Sequence, residues 1–172
     1  LQKNITCLIF ETNKYVIPKK IRHEMLDDLD IKILNILQRN GRTKRNVIAE
    51  SIGLSIPSVS ERLHKLEERG IIEGYYTKLN KKAFGYDITA YILVTIESSK
   101  FYKAFAAKVE KVSQILECHS VLGEGSHLLK ATVKNTEALE KLLGEIQSWQ
   151  GVIATKTTFV LSTTKDTSVL EI

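Results

Sequence analysis

The amino-acid sequence predicts an α+β chain in two modules, with three short helices and a hairpin in the first half and a β-α-β-β-α-β run in the second. Three observations predict it. Apolar residues recur at steps of three and four between residues 28 and 70, while beyond residue 86 such helical stripes alternate with β-branched runs. Charge divides at the same place: residues 1–85 hold 16 Lys plus Arg against 10 Asp plus Glu, and residues 86–172 hold 9 against 10.

Composition narrows the classes further. The chain of 172 residues is 43% hydrophobic and 26% charged, which excludes a disordered or low-complexity protein. Its longest nearly apolar stretch, Ile88 to Ile96, falls far short of the roughly 20 residues of a membrane-spanning helix. Cys7 and Cys118 stand apart, with no CxxC and no histidine at ligand spacing, so neither a disulfide framework nor a metal site is expected. Reduced thiols and a cytoplasmic location follow as the expectation. No cofactor motif is present.

Residues 1–24 (LQKNITCLIFETNKYVIPKKIRHE) precede Met25, the one methionine, and show neither a helical period nor strand alternation. The apolar run Ile5 to Phe10 is too short for a secretory core and is followed by Glu11 and Lys14. Two readings remain, an upstream extension outside the native fold or a basic arm bearing Lys19, Lys20 and Arg22, and the extension is preferred. Without this segment the first half keeps a net charge of +3.

From Asp28, the positions Leu29, Ile33, Ile36 and Leu37 form one helical stripe, with Asp27, Asp28 and Asp30 at the end that favours negative charge. This helix ends near Asn40-Gly41. A second runs from Lys44 to Ile52 with Val47, Ile48 and Ile52 on one face and the small Ala49 beside them, closed by Gly53. A third starts at the cap Ser55, tolerates Pro57 in its first turn, and buries Val59, Leu63 and Leu66 before Gly70. The stretch Ile71 to Thr77 then reads as two short strands about Glu73-Gly74, a hairpin or wing.

A small residue at Ala49, a glycine in the turn at Gly53 and an apolar residue at Val59 give helix-turn-helix spacing. The third helix then exposes Pro57, Ser58, Glu61 and Lys65, with Ser60, Arg62 and His64 on its flanks. Hydroxyls suit phosphates or base edges, and Arg62 and Lys65 suit guanine edges or the backbone. The expected contacts with double-stranded DNA are therefore Ser55, Pro57, Ser58, Ser60, Glu61, Arg62 and Lys65, with Lys44 and Arg45 on the phosphates. A solvent-facing helix with polar decoration is the competing reading.

In the second half, 25–78 gives way through a linker at 79–86 to a module spanning 87–172. Strands are expected at Ile88 to Ile96, Ile115 to Leu122, Leu128 to Val133 and Val152 to Leu161. Helices are expected at Phe101 to Val112 and around Leu139, Leu142, Leu143 and Ile146. This order is the ferredoxin-like split βαβ, a four-stranded antiparallel sheet with both helices on one face. Apolar groups on the bare face, in the strand Tyr91-Ile92-Leu93-Val94, predict that two copies pack sheet to sheet.

Several stretches carry a family likeness: Leu26-Asp27-Asp28-Leu29-Asp30, IAESIGL over 48–54, Ser58 to Glu67, Gly70-Ile71-Ile72 and Trp149-Gln150-Gly151-Val152, then Thr155 and Thr157. Over residues 26 to 165 the chain resembles the leucine-responsive (Lrp/AsnC) regulators. The resemblance implies a winged helix-turn-helix transcriptional regulator whose dimers assemble to octamers and often bind an amino acid. It places an effector site at Gly123, Glu124, Gly125, Ser126, Thr155 and Thr157, between subunits. One departure stands out, since Ser126 occupies a position where many members carry aspartate.

Two other classes remain. Sirohaem decarboxylases resemble the same two-module arrangement, and His119 and His127 could meet across paired strands; yet no convergent acid-base set accompanies them, so no enzyme activity is expected. An RNA-binding protein that uses the sheet to stack bases is a weaker reading, since the sequence lacks the aromatic signature of such sheets and the bare face is expected to be taken by the dimer contact.

Overall fold

The computed structural model describes residues 26–172, and the extension expected at 1–24 lies outside the described residues. Two compact units result, one running to Tyr75 and taking in Ser168–Ile172, the other spanning Tyr76–Thr167. The last five residues therefore leave the module to which the sequence assigns them.

In the first unit, α1 (Asp28–Arg39), α2 (Arg45–Ile52) and α3 (Ile56–Glu68) enclose Ile33, Leu34, Ile48, Ala49, Val59, Leu63 and Leu66. Local chemistry sets each end. Asp27 and Asp30 form a reciprocal cap on α1, and the Asp30 N–H donates to Asp27 Oδ1 at 2.8 Å. Gly53 closes α2 at φ 73°, a left-handed conformation that glycine adopts without strain.

The hairpin expected over 71–77 does not form. After Gly70, at φ 68°, the N–H groups of Ile71 and Ile72 both donate to the Leu66 carbonyl, which finishes α3 rather than starting a strand. Ile71 and Ile72 pack against the trihelical core, so their β-branched character serves burial. Gly74 does not take the positive φ that a tight hairpin turn needs.

The second unit opens with a single 3-10 turn at Lys81–Phe84, capped by the Asn80 side chain and by Gly85. Its sheet comprises β1 (Ile88–Ile96), β2 (Ile115–Ser120), β3 (His127–Val133) and β4 (Val152–Phe159), in the order β2-β3-β1-β4 with antiparallel neighbours. Helices α4 (Tyr102–Val109) and α5 (Thr136–Gln147) cover one face. Phe105, Val109, Leu139, Leu142, Ile146 and Trp149 meet Ala90, Ile92, Val94, Leu129, Ala131 and Val133 there. The helix expected from Phe101 begins one residue later, behind a 3-10 turn at Ser99–Phe101.

Register decides which side chains the other face shows. Ile92 and Val94 are fully buried under the helices, so only Tyr91 and Leu93 of the quartet point away, beside Lys130, Lys156 and Thr158 of the neighbouring strands. His119 pairs with Leu128 and shares that outer face, while His127 points to the opposite side. The two histidines cannot converge on one ligand, because adjacent strand positions alternate in direction.

Candidate nucleic-acid interface and effector loop

Ser55 precedes α3 in an extended conformation, and its Oγ accepts from the Ser58 N–H at 3.3 Å and lies 2.8 Å from the Ser58 hydroxyl. Pro57 occupies the first turn, where its missing N–H costs no helical bond. Val59, Leu63 and Leu66 are buried, and Pro57, Glu61 and Lys65 are exposed, so the sequence-derived facing of α3 holds. Ser58, expected on the exposed face, is half-buried like the flanking Ser60 and Arg62, and His64, expected on a flank, is exposed. An open cleft of about 360 Å³ runs along this side, bounded by Ser58, Glu61, Arg62 and Lys65 and by Asp30 of α1.

Two cations on this helix differ in what holds them. Lys65 Nζ sits 2.7 Å from Glu61 Oε1, one turn away, in an exposed pair that water and salt weaken. Arg62 turns back to α1, where Nη1 donates to Asp30 Oδ1 and to Asp27 Oδ2, 2.7 Å each. Asp30, then Asp27, raise the guanidinium above its ordinary value, and Asp27 is held below its own chiefly by the Asp30 N–H and next by Arg62. Arg62, expected to contact guanine or phosphate, is thus committed within its own unit. Periodicity placed it on the flank, and only the packed α1 supplies the carboxylates that claim it.

Lys44 is the residue preceding α2, with no side-chain cap bond, and Lys44 and Arg45 are both exposed at that helix start. Behind them, the Tyr75 hydroxyl donates to Glu67 Oε1 at 2.9 Å; desolvation first, and the carboxylate second, push the phenol up to about 12.

The expected effector residues fall into two groups. Gly123 and Gly125 have φ 127° and 78°, and a Cβ on Gly125 would lie 2.8 Å from Leu93 Cγ and 3.2 Å from the Val94 carbonyl oxygen. Glu124 is exposed and accepts from Lys156 Nζ at 3.1 Å. Ser126, by contrast, is buried: its Oγ donates to the Val94 carbonyl and accepts from the Ile96 N–H, 3.1 Å each, and its own N–H donates to Val94 at 2.9 Å. It braces the end of β1, and its hydroxyl is consumed there. Thr155 accepts from Gln147 Nε2 at 2.8 Å, and Thr157, opposite Ile92, faces the helices.

Sequence reasoning missed Asp27 and Asp30 as anchors of α3, because an Asp-x-x-Asp cap marks the start of its own helix and carries no signal for a guanidinium on another. It also missed Gln147 as the partner of Thr155.

A helix-turn-helix with one polar helix face, carried in the same chain as a separate sheet domain, has the layout of a DNA-binding protein with a second module. The description "winged helix-turn-helix DNA-binding" matches residues 26–73, and "Lrp/AsnC ligand binding domain" matches residues 89–170. The HTH-type transcriptional regulator FL11 of Pyrococcus furiosus is 34% identical over 148 residues, spanning 86% of this chain and 97% of that protein. The leucine-responsive regulatory protein of Haemophilus influenzae is 35% identical over 155 residues, 88% of this chain and 93% of its own. A Neisseria meningitidis transcriptional regulator, solved as a complex with L-methionine, superimposes with a TM-score of 0.82 at 34% identity over 86% of this chain and 97% of the other. The chain belongs to the Lrp/AsnC family of transcriptional regulators.

Proposed function

We propose that the chain binds double-stranded DNA sequence-selectively as a homodimer and answers to an amino-acid effector. The carrying observation is the exposed polar face of α3, set by the buried Val59, Leu63 and Leu66 and by the bond from Arg62 to Asp30. In this reading Ser58, Glu61 and Lys65 approach base edges, Ser55, Pro57 and Ser60 lie at the helix start and flank, and Lys44 and Arg45 meet phosphates. Arg62 positions the helix. Tyr91 and Leu93 on the uncovered sheet face supply the apolar part of the dimer contact, and further assembly to an octamer lets DNA bend around the protein.

For the effector, the Neisseria relative's complex with L-methionine supports an amino acid, whose ammonium Glu124 suits and whose carboxylate the Gly123 and Gly125 backbone suits. Ser126 takes the bracing role described above, and Thr155 and Thr157 line the sheet side. Selection of bound fragments from random DNA, with and without L-methionine, tests both parts. A recovered motif that shifts in occupancy with methionine is expected. Salt-sensitive binding with no motif overturns the selective reading, and absence of calorimetric heat from every proteinogenic amino acid overturns the effector.

A further inference from the structure

The end of the chain lies on α1, held through its backbone. Gln38 meets Leu170 with both ends of its carboxamide: the Leu170 N–H donates to Gln38 Oε1 at 2.6 Å, and Gln38 Nε2 donates to the Leu170 carbonyl at 3.2 Å. Three residues earlier on the helix, Asn35 Nδ2 donates to the Ile172 carbonyl at 3.2 Å. A carboxamide used in this way copies the two-bond exchange of an antiparallel β pair.

The spacing fits an extended partner. Residues three apart on a helix present side chains about 5–6 Å apart, and carbonyls two residues apart on a strand lie about 6.6 Å apart on the same side. Asn35 and Gln38 therefore match residues 172 and 170 in register. All three bonds go to backbone atoms of the segment, in the alternation an extended chain presents.

We propose that the Asn35 and Gln38 face of α1 is a docking surface for an extended chain, and that its occupant is this chain's own segment Ser168–Ile172. The segment belongs to the same compact unit as α1, so the chain leaves that unit after Tyr75 and returns to it at Ser168. The helix that receives the segment also carries Asp30, which holds Arg62 of α3. The segment is thereby a strap on the helix that positions α3, a role independent of what α3 binds.

Backbone 15N relaxation on the full chain tests it. Leu170 is expected to show an order parameter near the rigid value of about 0.85, falling below about 0.6 in Gln38→Ala. Gln38→Glu keeps an acceptor for the Leu170 N–H and loses the donor, and an intermediate value is expected. Deleting residues 168–172 and substituting Gln38→Ala should lower the urea midpoint of the first unit by similar amounts, with no further loss when combined. A flexible Leu170 in the parent, additive losses, or ordering of Leu170 that disappears on dilution and so marks a tail from a second copy, overturns the proposal.

Discussion

Arg62 Nη1 and Asp30 Oδ1 lie 2.7 Å apart and join α3 to the first turn of α1. The contact gives the Asp27–Asp30 cap a second task. Each carboxylate accepts from its own helix and from the guanidinium, so the geometry of the α1 start fixes the rotation of α3. Charge-assisted bonds of this length are directional, which suits a helix whose outer face must be aimed.

Arg62→Ala should therefore destabilise the first unit by about 1–2 kcal/mol, because the buried Asp30 loses its charged partner. DNA affinity should fall evenly across operator variants, with no single base position relaxed. Urea denaturation alongside anisotropy titrations on a set of point-substituted duplexes measures both. Relaxed preference at one position with unchanged stability returns Arg62 to a base-reading role.

Lys44→Ala and Lys65→Ala should separate phosphate contact from base contact. Loss of one phosphate contact lowers the slope of log affinity against log salt by about 0.9, and Lys44→Ala should show this on every sequence. Lys65→Ala should cost about 1–3 kcal/mol on the preferred site and little on others. Salt titrations on specific and random duplexes report the difference.

Ser126→Ala removes two bonds to β1 and should cost about 1–2 kcal/mol in folding stability while leaving effector affinity little changed. Glu124→Gln, at an exposed site, should do the reverse. Thermal melts paired with L-methionine calorimetry give the two readouts.

Gly151→Ala should be more damaging than Gly53→Ala. Both glycines have positive φ, 87° and 73°, which costs a Cβ-bearing residue about 1–2 kcal/mol. A Cβ at Gly151 would overlap the Phe101 ring, whereas at Gly53 it meets open space. Overpacking adds about 1–3 kcal/mol at the first site alone. Comparing urea midpoints of the two variants is sufficient.

His127 gives a pH dependence. Its ring packs edge-on to Tyr102 at 4.7 Å and tilted to Phe105 at 4.9 Å, and burial lowers its pKa from the ordinary 6.5. The unfolded chain thus takes up a proton at a higher pH than the folded one. Stability from the neutral buried ring is complete above about 6.5 and is lost as pH falls from there through the folded value. Melting temperature should drop between pH 7.5 and 5.5, and His127→Phe should flatten that drop.

Among the described residues, periodicity located the five α-helices and four strands within a few residues, because each buries one face and the stripe of buried residues is written locally. Glycine positions marked the ends of α2 and α3 for the same reason. Ile71 and Ile72 misled, since β-branched residues suit a strand and a core lid equally, and nothing local distinguishes them. The candidate site was legible as a helix face but not as a set of contacts. Ser58, Glu61 and Lys65 follow from angle alone, whereas the fate of Arg62 depends on carboxylates 32 and 35 residues away.

The sequence by itself determined the two-module order, the inner and outer faces of α3 and the Lrp/AsnC likeness, all of which follow from near-neighbour spacing. Only the tertiary structure decided that Arg62 pairs with Asp27 and Asp30, that Ser126 braces β1, that His119 and His127 point apart, and that the last residues rest on α1. Each of these is a pairing between groups distant along the chain, and a pairing exists only once packing has brought both partners to one place and fixed which side of a helix or strand each occupies.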